Sequence, residues 1–199
     1  MHNPEIHRRK TVVMFRIQQV VAWGYRWYTS GTVPASKAQK LAAKFAELYR
    51  VDATESQRRY AKKQGKANAF LFLYPRKGTD EFLWWLLATD GEGEVHQRER
   101  LRLATEAGSR LRWNDDYELI VMTREGQPKA SVTWRMTREN YHSWHARIRQ
   151  AVRTRRTNQL VRQAIWSLYR APGFGQVRLQ VKALSFMLQK EWKRTRKQT

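Results

Sequence analysis

The 199-residue chain has no cysteine, which excludes disulfides and thiolate-held metal and leaves five histidines as the only soft ligands. No metal site is therefore expected. No apolar run approaches the ~18 residues of a membrane span. The N-terminal MHNPEIHRRK lacks the apolar segment of a signal peptide, so the expected location is the cytoplasm, with no membrane partner. A Gly-rich nucleotide loop, a nucleophile elbow and a paired His-Glu zinc helix are missing too, and no cofactor is expected. The most informative shortage is of acid: 17 Asp and Glu face 39 Lys and Arg, a net charge of +22. Charge of that size bears on partners rather than on fold, and phosphate is the obvious counter-charge.

The shortage is local. Residues 1–130 hold 23 basic and 15 acidic residues, whereas 131–199 hold 16 and 2. Between Glu139 and Glu191 there is no carboxylate, so the arginines there lack the ion-pair partners that normally decorate helices. The basic third is still no disordered tail, because the chain is 41% apolar and carries nine Trp, eight Tyr and seven Phe, enough to fold.

Local patterns give an α+β reading. The β-branched, aromatic stretch at 11–29 predicts one long strand, or two with a bend at Gly24. After Pro34, residues 35–49 predict a helix with Leu41, Phe45 and Leu48 in phase, and a short polar helix follows at 54–64. NAFLFLY and FLWWLLA, on either side of PRKGTDE, predict a strand pair, with a helix at 80–88 as the alternative. Residues 94–108 predict a helix closed by Gly108. YELIVMT and SVTWRMT around REGQPK predict a hairpin, and everything after Thr137 reads as helix. The expected organisation is an α+β core over 1–137, of mixed strands and helices with antiparallel hairpins, followed by a basic segment of about three helices over 138–199, packed on that core.

The helical segment carries the functional expectation. Tyr141, Trp144, Ile148, Ala151 and Val152 share a helix face, but Val161, Ala164, Ile165 and Leu168 lie about 150° around it on a continuous helix. A break at TRRTN (154–158), with Thr157 or Asn158 as the second N-cap, resolves the mismatch. The outward face of the first helix then carries His142, His145, Arg149 and Arg153, and the second carries Arg162, Trp166 and Arg170 at i, i+4 and i+8. On the last helix Val177, Val181, Leu184, Leu188 and Trp192 form a core stripe, with Arg178, Lys182, Gln189, Lys193 and Arg196 on the other side. Arg147, Arg155, Arg156 and Arg194 complete the candidate binding set. A tryptophan between arginines suits base stacking, worth ~1–3 kcal/mol per base and tolerant of sequence.

These residues predict a non-catalytic nucleic-acid-binding protein, with RNA or DNA as partner and a lean toward unpaired bases. The weight on arginine rather than lysine suits planar and bidentate contacts. Further protein partners are expected if the chain is a subunit of a ribonucleoprotein, DNA-processing or phage-type assembly. The alternative is a metal-independent RNA-processing endonuclease that keeps its product, with His142 and His145 as candidate bases. GFGQVR (173–178) is similar to the C-terminal glycine-rich loop of ferredoxin-like CRISPR RNA endonucleases, a resemblance of six residues that implies RNA contact there. PGFGQ also places backbone N–H groups at a helix start, where a phosphate fits. The acidic stretches DGEGE (90–94) and WNDDYEL (113–119) read as a turn and a strand start rather than as metal sites.

Overall fold

The computed structural model describes residues 6, 8–123, 126, 129–154 and 158–196, with Arg196 in its backbone only. The fold is α+β, with seven helices and seven strands among the described residues. By internal contacts the chain divides into two compact units, one of Met1–Leu111 with Val121–Val132 and one of Arg112–Ile120 with Thr133–Thr199. The division runs through the predicted hairpin. Among the described residues no helix is long and apolar enough to cross a membrane.

In the first unit α1 (Lys10–Ala22) is followed by β1 (Trp27–Pro34), α2 (Ala35–Tyr49), α3 (Glu55–Lys63), β2 (Ala69–Pro75), β3 (Glu81–Ala88), α4 (Glu94–Arg98) and β4 (Arg102–Leu103). The sheet runs β2-β3-β1-β4 with every neighbour antiparallel. FLWWLLA is apolar almost throughout because β3 is central and covered on both faces. Leu86 and Ala88 join Phe45 and Tyr49 of α2 and Val95 of α4 in one cluster, while Leu83, Trp85 and Leu87, pointing the other way, are buried as well. Gly31 of β1 faces Trp84, and a Cβ there would lie 2.9 Å from the indole, so only glycine lets the ring cross the neighbouring strand. The polar helix α3 is fixed by a capping box between Thr54 and Gln57.

Three expectations are corrected here. TVVMFRIQQVVA is the helix α1, not a strand: Val13, Met14, Ile17, Val20 and Val21 are buried at helical spacing. β-Branched and aromatic residues off that stripe hid the period, and burial of the stripe overrode their strand preference. The strand starts only at Trp27, after Gly24 turns the chain at φ 103°. The helix expected over 94–108 stops at Arg98, because Arg102 and Leu103 pair with Tyr28 and Trp27 at the sheet edge. The Tyr28 hydroxyl, 2.8 Å from the Ser109 carbonyl and 2.9 Å from that of Arg110, fixes the loop that follows, so Gly108 lies in a turn rather than at a helix end. The alternative helix at 80–88 is strand β3.

β5 (Arg112–Trp113), β6 (Tyr117–Met122) and β7 (Ser131–Met136) form a three-stranded sheet in that order, with β6 up to Ile120 and β7 from Thr133 counted in the second unit, and α5 (Arg138–Arg153), α6 (Gln159–Tyr169) and α7 (Gly175–Arg196) follow. Thr137 joins the two layers. Its hydroxyl accepts from the Asn140 N–H at 3.2 Å as the α5 N-cap and donates to the Asp115 carbonyl at 2.6 Å. Gln180 of α7 accepts from the Met136 N–H (2.7 Å) and donates to its carbonyl (3.2 Å), acting as a one-residue extension of the sheet edge. α5 packs against both α6 and α7. Trp144, Ile148, Ala151, Val152, Val161, Ala164, Leu168, Val177, Leu184 and Leu188 are buried, as their stripes predicted, whereas Tyr141, Val181 and Trp192 of the same stripes are half-buried. The break falls at the expected place, with Thr154 as C-cap of α5 and Asn158 as N-cap of α6, while Thr157 lies outside the described residues. Ile165 departs from expectation: it is 51% exposed, because α6 buries only the narrow Val161–Ala164–Leu168 stripe and Ile165 falls beyond its edge.

Candidate functional site

The outward face of α6 is built by elimination. With Val161, Ala164 and Leu168 turned inward, residues at 100° steps place Arg162, Trp166 and Arg170 in one column on the opposite side. Trp166 is 65% exposed and Tyr169 beside it 84% exposed, values far from those of core aromatics such as Trp134 at 0%. Arg162 and Arg170 are exposed and make no ion pair among the described residues. A flat ring between two guanidinium groups, all open to solvent, can stack a planar group and hold anions on either side of it.

A second column lies on α5. His142, Arg149 and Arg153 are exposed and His145 is half-buried. The two imidazoles are 6.3 Å apart between ring centres, and Tyr141 packs edge-on to His145 at 4.9 Å. Burial, then the Arg149 charge, then His142 hold the His145 pKa below its ordinary value, so this ring favours its neutral form. Glu191 of α7 senses the same field. Its hydrogen bond from Arg194 at 2.7 Å, with Arg149 and Arg153 adding to it, keeps its carboxyl below the usual range against a partial desolvation. Arg194 is its direct partner, while Arg149 and Arg153 act on it only at longer range.

Other candidates are placed differently. Arg147 lies with its guanidinium 4.3 Å from the centre of the Trp144 ring, sealing that side of the core, and so does not join the His142 column. Arg178 folds back toward the PGFG turn, where a Cβ on Gly173 would come within 3.2 Å of its Nη2. Arg194 is held by Glu191. Lys182 and Lys193 are exposed on α7. Arg155 and Arg156 lie outside the described residues, as does the Arg196 side chain. The acidic stretches are occupied by structure: Asp90 accepts from the Arg26 guanidinium and the Trp27 indole N–H, and Glu118 accepts from Arg135 at 2.7 Å. Among the described residues His, Asp and Glu nowhere gather in threes in a way that suits a metal ion.

The sequence reading passed over Tyr169 and Phe186. Phe186 is 59% exposed on α7, with the Lys182 ammonium 5.8 Å from its ring centre, and Leu179 is exposed on the same face. The signal for Phe186 was present, since it falls outside the Val177–Leu184–Leu188 stripe and four residues after Lys182. Comparison with protein-family models, with curated proteins and with solved structures gives no match. The functional reading therefore rests on the chemistry of this surface.

Proposed function

We propose that this protein binds nucleic acid without cleaving it, through the solvent-facing sides of α5, α6 and α7. The observation that carries the reading is Trp166, exposed between Arg162 and Arg170 on a helix with no carboxylate. Exposed Tyr169 and Phe186 extend the aromatic surface, and Arg149, Arg153, Lys182 and Lys193 extend the positive one. Aromatics open to solvent favour unpaired bases, which can splay out and stack, over a duplex whose bases are already stacked. RNA and DNA share that chemistry. A place in a larger ribonucleoprotein or DNA-processing assembly is consistent with the same face.

The test is fluorescence anisotropy of a labelled single-stranded oligonucleotide at graded salt. With six or more phosphate contacts, affinity falls by ~10³ or more between 50 and 200 mM salt. Affinity flat across that range overturns the proposal. A second reading, metal-independent RNA cleavage, has the His142–His145 pair beside Arg149 in its favour, because a neutral imidazole near cations suits proton abstraction from a 2′-hydroxyl. Incubating labelled RNA with the protein in chelator decides it: cleavage lost in His145→Gln establishes the second reading, and intact RNA removes it.

A further inference from the structure

The first unit has a pocket of about 690 Å³, open to solvent on its outer side, where the C-terminus of α1 meets α3 and β2. That volume is within the ~300–1,000 Å³ of small-molecule sites. Trp23, the residue that ends α1, stands at it 56% exposed, an unusual position for a tryptophan with no structural load at that level of exposure. Arg58 also lines it. Its edges are occupied, with donors at 2.9 Å from the Ala53 carbonyl, 2.7 Å from that of Ala69 and 2.7 Å from that of Val51, and one face lies on Phe70 at 3.7 Å. Held in this way, Arg58 is half-buried and presents part of a rigid, charged plane in the lining of the pocket. Arg59 and Lys62 bring two more cations. Arg59 is paired with Glu55 at 2.5 Å, whereas Lys62 has no ion-pair partner among the described residues.

Aromatic and guanidinium planes beside an uncompensated ammonium, in a space of this size, match one ligand chemistry: a planar heterocycle bearing a phosphate. We infer that this cavity is a separate nucleotide site, filled by a free mononucleotide or by one unit of a strand, with the base against Trp23 and Arg58 and the phosphate at Lys62. The site does not depend on the α6 column, and the two are separable by experiment.

The intact protein is titrated at low salt with a nucleoside 5′-monophosphate, with the matching nucleoside and with a labelled oligonucleotide. The mononucleotide saturates and binds more tightly than the nucleoside. Trp23→Ala weakens binding on the order of tenfold, the loss expected of one stacking platform, and Trp23→Phe restores most of it. Lys62→Gln erases the preference for the phosphate. Melting curves on each variant check folding, and the exposure of Trp23 and Lys62 keeps them near wild type. If the mononucleotide fails to saturate while Trp23→Ala still weakens the oligonucleotide, the cavity takes its nucleotide from a strand and the inference holds. If Trp23→Ala changes neither, or if Trp166→Ala alone removes all binding, the inference is overturned. Loss at Trp23 with no effect at Trp166 leaves this site standing and removes the α6 reading instead.

Discussion

In the first unit Arg58 spends its donors on the carbonyls of Val51, Ala53 and Ala69, and Arg26, Arg59, Arg76 and Arg98 each meet a carboxylate. In the second, Arg162 and Arg170 flank an exposed tryptophan and meet none among the described residues. The same side chain is a structural clamp in one place and a solvent-facing cation in the other. The difference follows from acid supply. A guanidinium near carboxylates or open carbonyls is consumed locally, and one on an acid-free helix stays solvent-facing with its charge uncompensated.

The largest effect that sharpens this comparison contrasts core with surface in the second unit. Leu184→Ala lowers unfolding free energy by ~2–5 kcal/mol, as a fully buried leucine should. Trp166→Ala changes stability little and costs ~1–3 kcal/mol of binding to a single strand. A melting curve paired with a binding titration reads both, and a loss of stability at Trp166 equal to that at Leu184 refutes the exposed platform. Next in size is the arginine contrast itself. Arg58→Met leaves three carbonyls without their donor and costs about 2–4 kcal/mol in chemical denaturation. Arg162→Met stays within about 0.5 kcal/mol. Equal losses break the comparison.

A smaller effect probes the one carboxylate among the arginines. Glu191→Gln releases Arg194 from its counter-charge and removes a negative charge from the field of Arg149 and Arg153, so oligonucleotide affinity at low salt rises a few-fold and its salt dependence steepens. Weaker binding in that variant shows that Glu191 positions Arg194 rather than competing with phosphate. The smallest effect is the pH response of His145. Its folded pKa lies below the ordinary 6.5, so the unfolded chain binds more protons, and stability declines as pH falls from about 6.5 toward the folded value. A bound phosphate favours the charged ring and reverses the sign, tightening binding over the same window. His145→Gln flattens both profiles.

Much of the helical unit was legible in the sequence. The stripes on α5, α6 and α7 and the break between Arg153 and Asn158 follow from period alone, because buried apolar residues recur at helical spacing and the two sets are out of phase. Trp166 was assigned to the outward face on the same grounds, although phase alone left its burial open. α1 was misread because valines and aromatics stand on its exposed side as well, at Val12 and Phe15, and blur the stripe. The short β4 was illegible for another reason: two residues carry no period, and their pairing with Tyr28 and Trp27 is a contact across more than seventy positions.

The candidate site divides along the same line. Charge, the acid-free run from Glu139 to Glu191 and the Arg162–Trp166–Arg170 spacing are properties of the chain, fixed by its order of residues. That Arg147 covers Trp144, that Glu191 answers Arg149 and Arg153 from another helix, and that Trp23 and Phe70 meet Arg58 around one cavity were decided only by folding. Local pattern sets which face of an element is apolar, but which distant side chain meets a given cation depends on packing between elements, and that is written in no single stretch of sequence.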